Sequence, residues 1–238
     1  SSLGSLSRMG HALPHLFQPE VLWVSRRTAV QKAELKPHQL VQARLAGFNV
    51  PKTLYTTAPK EALQFVRERS VCALKPLAPY PPELLGQPTR ILRYRSDLNL
   101  DGVSVQAHIF QELIDPAREL RVAVVGAEAF AAEVWDSNQE EAIAEGIRDY
   151  RRAVETDTFE TAAYTLPPQV AESCVRYVQS MGLVNGHFDL IVDKKGKYWF
   201  LECNPNGQWA FVDDKTVEKI GRALARLLES GKSPWPTK

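Results

Sequence analysis

The most constraining feature of this sequence is a pair of short segments near its end, residues 187–192 and 198–204, on either side of Lys195-Gly196. Both segments are rich in aromatic and aliphatic residues, and a two-residue turn with glycine between such segments predicts a type I′ β-hairpin. Counting back from this turn places Asp189 directly opposite Glu202, with their Cβ atoms about 5 Å apart. The sequence therefore predicts two carboxylates on one face of an antiparallel sheet.

Oxygen-bearing side chains gather on that face of the predicted hairpin. Asn204 shares the face of Glu202 because side chains alternate along a strand, and His187 shares the face of Asp189. Mg²⁺ prefers hard oxygen ligands with room for water and phosphate, so Asp189, Glu202 and Asn204 form a candidate magnesium site. The alternatives are an ordinary polar cluster on a solvated sheet face and, for His187, an ordinary core or surface histidine.

Helical and extended patterns alternate along the rest of the chain. Adjacent hairpins interleaved with helices predict an α+β fold with antiparallel sheets rather than a doubly wound parallel sheet. Residues 136–165 are polar, and we predict them as part helix and part loop. Predicted helices cover 37–46, 57–68, 170–181 and 215–230, and predicted strands cover 71–74, 91–94, 103–111, 119–125 and 129–134.

Composition argues against several classes of protein. Lys and Arg number 29 against 28 Asp and Glu, and this net charge of +1 provides no general attraction to nucleic acid or to an anionic membrane. No apolar run approaches the roughly 20 residues of a membrane-spanning helix. Three cysteines without metal-like spacing suit a reducing cytosol. We therefore predict a cytoplasmic protein without nucleic-acid or membrane partners.

A longer motif follows the second strand of the predicted hairpin. Residues 201–209, LECNPNGQW, resemble the E-x-N-P-x-G-Q-W signature of ATP-grasp ligases of the graspetide (microviridin-type, ω-ester-containing peptide) synthetase group. Residues 33–54 resemble the AExKxxQLxxAxxxGxxVPxTL stretch of the same group. Ribosomal-protein glutamate ligases and D-Ala-D-Ala-type ligases are more distant relatives. Four shorter matches follow in the order of the family: Leu74-Lys75-Pro76, Ile109–Glu112, Glu119–Val122 and Asp149–Arg151.

This resemblance implies an ATP-grasp fold, an α+β architecture in which two subdomains grip a nucleotide. We expect the central subdomain at residues 36–110 and the C-terminal subdomain at residues 111–238. Family members carry a pre-ATP-grasp domain before the matched stretch, so residues 1–35 are expected to be an N-terminal remnant or linker. The surface that this domain covers in family members is expected to be open in this chain. We therefore expect association into a homo-oligomer.

The resemblance also implies a set of nucleotide-binding residues. Lys75 ends a buried strand, so its ammonium can reach a phosphate while its stem stays dry, and the family assigns it to the α- and β-phosphates. The alternative is a solvated lysine at a strand end. Lys36 belongs to the matched N-terminal stretch, and Glu119 lies where the family places a ribose-binding acid. A hinge is expected to contact adenine with its backbone and apolar side chains, and it consists of Gln111, Glu112, Leu113 and Ile114.

Two arginines are the candidate catalytic residues. Arg121 lies two residues beyond Glu119, on the same strand face. Arg151 belongs to Asp149-Tyr150-Arg151, which resembles the D-W-R motif of the family with Tyr in place of Trp. Arginine suits bidentate binding of phosphate or carboxylate. Arg148 or Arg152 is an alternative for this role, and so is a merely solvated helix face.

The implied reaction is the ATP-dependent activation of a carboxylate as an acyl phosphate, with ATP and Mg²⁺ as cofactors. A hydroxyl or amine then displaces phosphate and forms an ester or amide. In the graspetide group both partners are side chains of a ribosomally made precursor peptide, so we expect this peptide as the partner. The alternatives are a glutamate- or small-molecule-adding ATP-grasp ligase and a nucleotide- or peptide-binding module without turnover.

Overall fold

Two antiparallel sheets and five α-helices make up the part of the chain that this computed structural model describes, residues 21–76, 89–137 and 158–235. The predicted α+β class is confirmed. None of the helices in these ranges is long and apolar enough to cross a lipid bilayer. The helices are α1 (Arg27–Ala33), α2 (Lys36–Leu45), α3 (Pro59–Arg69), α4 (Pro168–Ser180) and α5 (Asp214–Ser230). The strands are β1 (Thr53–Thr56), β2 (Val71–Pro76), β3 (Arg90–Arg93), β4 (His108–Glu112), β5 (Pro116–Val125), β6 (Glu128–Asp136), β7 (Phe159–Tyr164), β8 (Asn185–Asp193) and β9 (Tyr198–Asn204).

The smaller sheet has the strand order β1-β4-β2-β3 and is covered by α3. Pro59 suits the first turn of α3 because that position needs no backbone N–H donor. Phe65 and Val66 of this helix pack against Cys72 of β2 and Phe110 of β4. This packing holds β2 and β4 side by side, so Lys75, next to the last residue of β2, lies beside Ile109 near the start of β4.

The larger sheet has the strand order β7-β6-β5-β8-β9. One face packs against α2 and α4, and its core contains Leu120, Leu190 and a cluster of aromatic rings. The ring of Tyr177 lies 5.2 Å from that of Phe188 and 5.3 Å from that of Phe200. Helix α2 thus belongs to the core of the larger sheet, although the predicted subdomain limits at residues 36 and 111 stay a prediction.

Among the described residues, α5 covers part of the other face of the larger sheet. Ile220 and Ala223 of α5 pack against Ala123 and Val125 of β5. The Asp213 carboxylate caps the first turn of α5 by accepting the backbone N–H of Thr216 at 3.0 Å. Beyond α5, the same sheet face carries polar side chains.

The turn between β8 and β9 is longer than the predicted two-residue turn. Asp193 donates its backbone N–H to the Lys197 carbonyl at 3.0 Å, so three residues, 194–196, form the loop. Asp193 Oδ1 accepts the backbone N–H groups of Lys195 and Lys197 at 2.8 and 2.9 Å. Gly196 supplies the positive φ of 76°. An aspartate that binds the backbone of its own turn favours this longer loop.

A second irregularity restores the predicted pairing. Leu190 pairs with Phe200 and Asp189 pairs with Glu202, so Leu201 is an extra residue in β9. Such a β-bulge shifts the register by one residue. The longer turn and the bulge cancel, and the predicted position of Asp189 opposite Glu202 is confirmed although the predicted turn type was wrong.

Two other segments differ from the predictions. Residues 103–111 are not one strand, because Asp101–Val105 is a 3-10 helix that buries Val103 against the α3 side of the smaller sheet. Within residues 136–165, the segment 159–164 is a strand, because it finds a partner in β6. Helix α1, inside the expected linker, was not predicted.

Candidate functional site

The polar face of the larger sheet contains the three predicted metal ligands. In β8 and β9, Asp189 pairs with Glu202, and His187 pairs with Asn204. Phe188 belongs to the core on the opposite face, so Asp189 points away from that core. The structure therefore brings Asp189, Glu202 and Asn204 onto one face, as predicted, although their role as ligands stays a prediction.

Glu202 lies at the centre of a group of cations. Lys36 in the first turn of α2 places its Nζ 2.5 Å from Glu202 Oε2, and Asn204 Nδ2 donates to Glu202 Oε1 at 3.1 Å. Burial opposes ionisation of Glu202, but the charges of Lys36 and Lys75 and these hydrogen bonds outweigh it. They lower the pKa of the Glu202 carboxyl to about 2. Glu202 is therefore ionised at neutral pH.

Asp189 has its own cationic partner on the neighbouring strand. Arg121 of β5 pairs with Asp189 in the strand register, and the two side chains form an ion pair. Both are largely buried, with 15% and 19% of the side-chain surface exposed. Each of the two carboxylates is thus neutralised by a cation from another element of the chain.

This set of oxygens suits Mg²⁺. Within the described ranges, no three His, Cys, Asp or Glu side chains form a ready-made metal cage. Two carboxylates and one amide are nevertheless an adequate set, because Mg²⁺ is usually bound by one or two carboxylates and completes its shell with water and substrate phosphates. The cations that now pair with Asp189 and Glu202 indicate that positive charge is stable at this place.

The predicted phosphate-binding lysine lies on the smaller sheet. Lys75 Nζ donates to Gln111 Oε1 at 3.1 Å, and Gln111 Nε2 donates to Thr53 Oγ1 at 3.1 Å. Gln111 is buried, so this chain of hydrogen bonds crosses three strands and fixes the side chain of Lys75. The positive charge of Lys75 also helps to lower the pKa of the Glu202 carboxyl.

The rest of the expected hinge joins the two sheets. Glu112, the last residue of β4, donates its backbone N–H to the Lys52 carbonyl at 2.8 Å, and its carboxylate accepts the Lys52 N–H at 3.1 Å. Leu113 is half-buried and Ile114 is buried. Glu119 lies on β5 opposite Ile191, two residues before Arg121 on the same face. Both the side chain and the backbone N–H of Glu112 are therefore engaged with Lys52.

The second candidate catalytic arginine lies outside the described residues. Arg151 and its alternatives Arg148 and Arg152 fall between residues 137 and 158, and their roles stay predictions.

A cavity of about 210 Å³ adjoins the candidate ligands. One side of it is polar and includes Arg121, Asp189 and Asn204. The other side is formed by the loop after β9 and by α5, and it includes Trp209 and Ile220. The cavity thus has one polar wall and one largely apolar wall. Sequence reasoning did not identify this cavity, although Trp209 belongs to the matched signature.

Gly207 of the matched signature packs against His187 of β8 beside the site. A Cβ atom on Gly207 would lie 2.7 Å from His187 Cβ and 3.2 Å from Asn204 Cβ, so only glycine fits there. His187 is 7% exposed, and burial lowers its pKa to about 4, so it is neutral. Asn185 Nδ2 lies 3.0 Å from His187 Nε2. His187 is therefore a buried neutral neighbour of Asn204.

Comparisons with known proteins identify relatives by structure. No family model matches this chain, and no curated protein matches it significantly. The macrocyclase MdnC from Microcystis aeruginosa, solved with the precursor peptide MdnA, is 27% identical with a TM-score of 0.72, over 87% of this chain and 64% of that one. A RiPP-associated ATP-grasp ligase from Chryseobacterium gregarium, solved with ADP and a leader and core peptide, is 25% identical with a TM-score of 0.76, over 88% of this chain and 63% of that one.

A D-alanine–D-alanine ligase from Bacillus anthracis is similar in fold alone, at 13% identity and a TM-score of 0.61, over 87% of this chain and 69% of that one. The predicted ATP-grasp fold and the predicted resemblance to peptide-modifying ATP-grasp ligases are confirmed. The chain spans less than two thirds of the length of the first two relatives, 64% and 63%.

Proposed function

We propose that this chain acts as an ATP-dependent carboxylate ligase that forms ester or amide links within a precursor peptide. The proposal starts from the ATP-grasp fold that the chain shares with macrocyclases. The observation that carries the proposal is that Lys36 contacts Glu202 and that the charges of Lys36 and Lys75 both act on this carboxylate. The similar proteins solved with ADP or with precursor, leader or core peptides support both ligand classes.

In this proposal the nucleotide lies between the sheets. The backbone of residues 111–114 contacts adenine, Glu119 binds the ribose, and Lys75 binds the α- and β-phosphates. Mg²⁺ held by Asp189, Glu202 and Asn204 would neutralise the charge on the phosphate oxygens during transfer. For this to happen, the cations that pair with the two carboxylates must turn towards the phosphates.

The chemistry then proceeds in two steps. A carboxylate oxygen of the peptide attacks the γ-phosphorus of ATP, and ADP leaves, so the carboxylate becomes an acyl phosphate. A Ser or Thr hydroxyl or a Lys amine of the peptide attacks the acyl carbon, loses its proton and expels phosphate. Arg121, which lines the cavity, and Arg151 stabilise the negative charge on the transferring phosphoryl or on the acceptor carboxylate. No nucleophile from the protein is needed.

Location and assembly complete the proposal. A cytoplasmic location is consistent with the three cysteines, which are buried and form no disulfide. A net charge of +1 supports a partner other than nucleic acid or a membrane. We keep a homo-oligomer as part of the proposal, and light scattering of the purified chain tests it.

Mass spectrometry of a Ser/Thr- and Asp/Glu-rich precursor peptide incubated with the protein and Mg-ATP tests the function. Each link expels one water, so the peptide becomes lighter by whole waters while ADP accumulates. The Glu202→Gln variant is the control, and it should leave the peptide unchanged. A peptide that becomes heavier by glutamate residues would favour the amino-acid-adding ligase, and an unchanged mass with the wild-type protein would favour the binding module.

A further inference from the structure

Strand β9, which carries Glu202 and Asn204, is the outer strand of the larger sheet. An outer strand leaves a row of backbone N–H and C=O groups without a neighbouring strand, and proteins usually cover such an edge. Within the described ranges, the edge of β9 is covered at two separate points. At the start of β9, far from the candidate ligands, Asn49 Nδ2 donates to the Tyr198 carbonyl at 2.8 Å, and the Asn49 carbonyl accepts the Phe200 N–H at 2.8 Å.

At the end near the site, a single side chain from α2 covers the edge. Gln39 Nε2 donates to the Cys203 carbonyl at 2.8 Å, and Gln39 Oε1 accepts the Cys203 N–H at 3.1 Å. The same Nε2 donates to the Ala33 carbonyl at the end of α1 at 2.7 Å. Gln39 is only 1% exposed. Its amide thus pairs with Cys203 on both sides, as a residue of a neighbouring strand would.

Cys203 is the residue between the two candidate ligands of β9. It is buried in the core, whereas Glu202 and Asn204 point to the opposite face. Fixing the backbone of Cys203 therefore fixes the origin and the direction of both ligand side chains. The β-bulge at Leu201 comes immediately before this segment, and a slip of one residue would turn both ligands into the core.

We propose that Gln39 is a positioning residue, which holds the segment from Glu202 to Asn204 in the register that binds Mg²⁺. This inference rests on the proposed function, in which these side chains hold the metal. Lys36, one turn earlier on the same helix, contacts Glu202 itself. The first turns of α2 thus set both the charge and the position of the ligands on β9.

The test compares two variants that each remove a side-chain contact to β9. Gln39→Met keeps the size of the side chain but removes both hydrogen bonds to Cys203. Asn49→Ala removes the bond to Tyr198 at the far end of the same strand and is the matched control. The first readout is the Mg²⁺ concentration at which the Mg²⁺-dependent gain in ADP binding is half complete in calorimetry. The second is the hydrogen-exchange rate of the Cys203 amide, which requires neither metal nor activity.

We expect Gln39→Met to raise the Mg²⁺ midpoint by about 10- to 100-fold, the usual effect of losing a partner that orients metal ligands. Exchange of the Cys203 amide should become faster. Asn49→Ala should lower thermal stability but leave the Mg²⁺ midpoint at the wild-type value. If Gln39→Met does not fold, Gln39→Asn, which keeps the amide but shortens its reach, gives the same comparison.

An unchanged Mg²⁺ midpoint in Gln39→Met, or an equal shift in Asn49→Ala, would overturn the positioning role and leave only a contribution to stability. In both cases the proposed function would stand. A wild-type chain whose affinity for ADP does not depend on the Mg²⁺ concentration would overturn the metal site and the inference together.

Discussion

Lowering the pH should destabilise the fold, because the buried histidine at the site takes up a proton more readily in the unfolded chain. His187 is 7% exposed, and burial lowers its pKa from 6.5 to about 4. The unfolded chain therefore binds one more proton than the folded chain between these two values, and stability falls as the pH falls through this window. The loss is about 2 kcal/mol near pH 5 and about 3 kcal/mol near pH 4, at about 1.4 kcal/mol per pKa unit.

The assay is urea unfolding of the wild-type protein and the His187→Gln variant, in chelator, near pH 8 and near pH 5. At the higher pH both side chains are neutral, so the difference in the free energy of unfolding reports only the change in packing. At the lower pH the wild-type protein should lose about 2 kcal/mol relative to the variant. The reasoning is refuted if the difference is the same at both pH values, or if the His187 ring in the folded protein titrates near 6.5.

Three further predictions concern other parts of the site. Lys75→Ala should weaken ATP binding by tenfold or more and adenosine binding little, because only the phosphates lose a partner; equal losses in calorimetry would contradict its role. Asp189→Asn should keep the circular dichroism spectrum but lower thermal stability, because the largely buried Arg121 loses its charged partner; it should also lose Mg²⁺-dependent ADP formation, and normal turnover at limiting Mg²⁺ would argue against it as a ligand. Gly207→Ala should cost about 1–3 kcal/mol of unfolding free energy in urea, because the new methyl overlaps His187; an alanine variant of unchanged stability would show that the loop moves freely.

Much of the site could be predicted because its information is local. The hairpin of β8 and β9 and the motif from Glu202 to Trp209 depend on neighbouring residues, on the period of two in strands and on turn chemistry. The pairing of Asp189 with Glu202 was correct for a partly wrong reason. The turn contains one residue more than predicted, and the bulge at Leu201 compensates for it.

The sequence by itself determined the secondary structure around the candidate ligands, the choice of hard oxygen donors and the resemblance to ATP-grasp ligases. Only the tertiary structure decided which cation neutralises which carboxylate, and what holds the outer strand in register. Lys36 meets Glu202 across 166 residues of sequence, and Gln39 meets Cys203 across 164. Such contacts depend on how α2 packs against the finished sheet, and no local sequence pattern encodes that packing. The apolar stripe of a helix specifies which face is buried, but it does not specify the strand that this face meets.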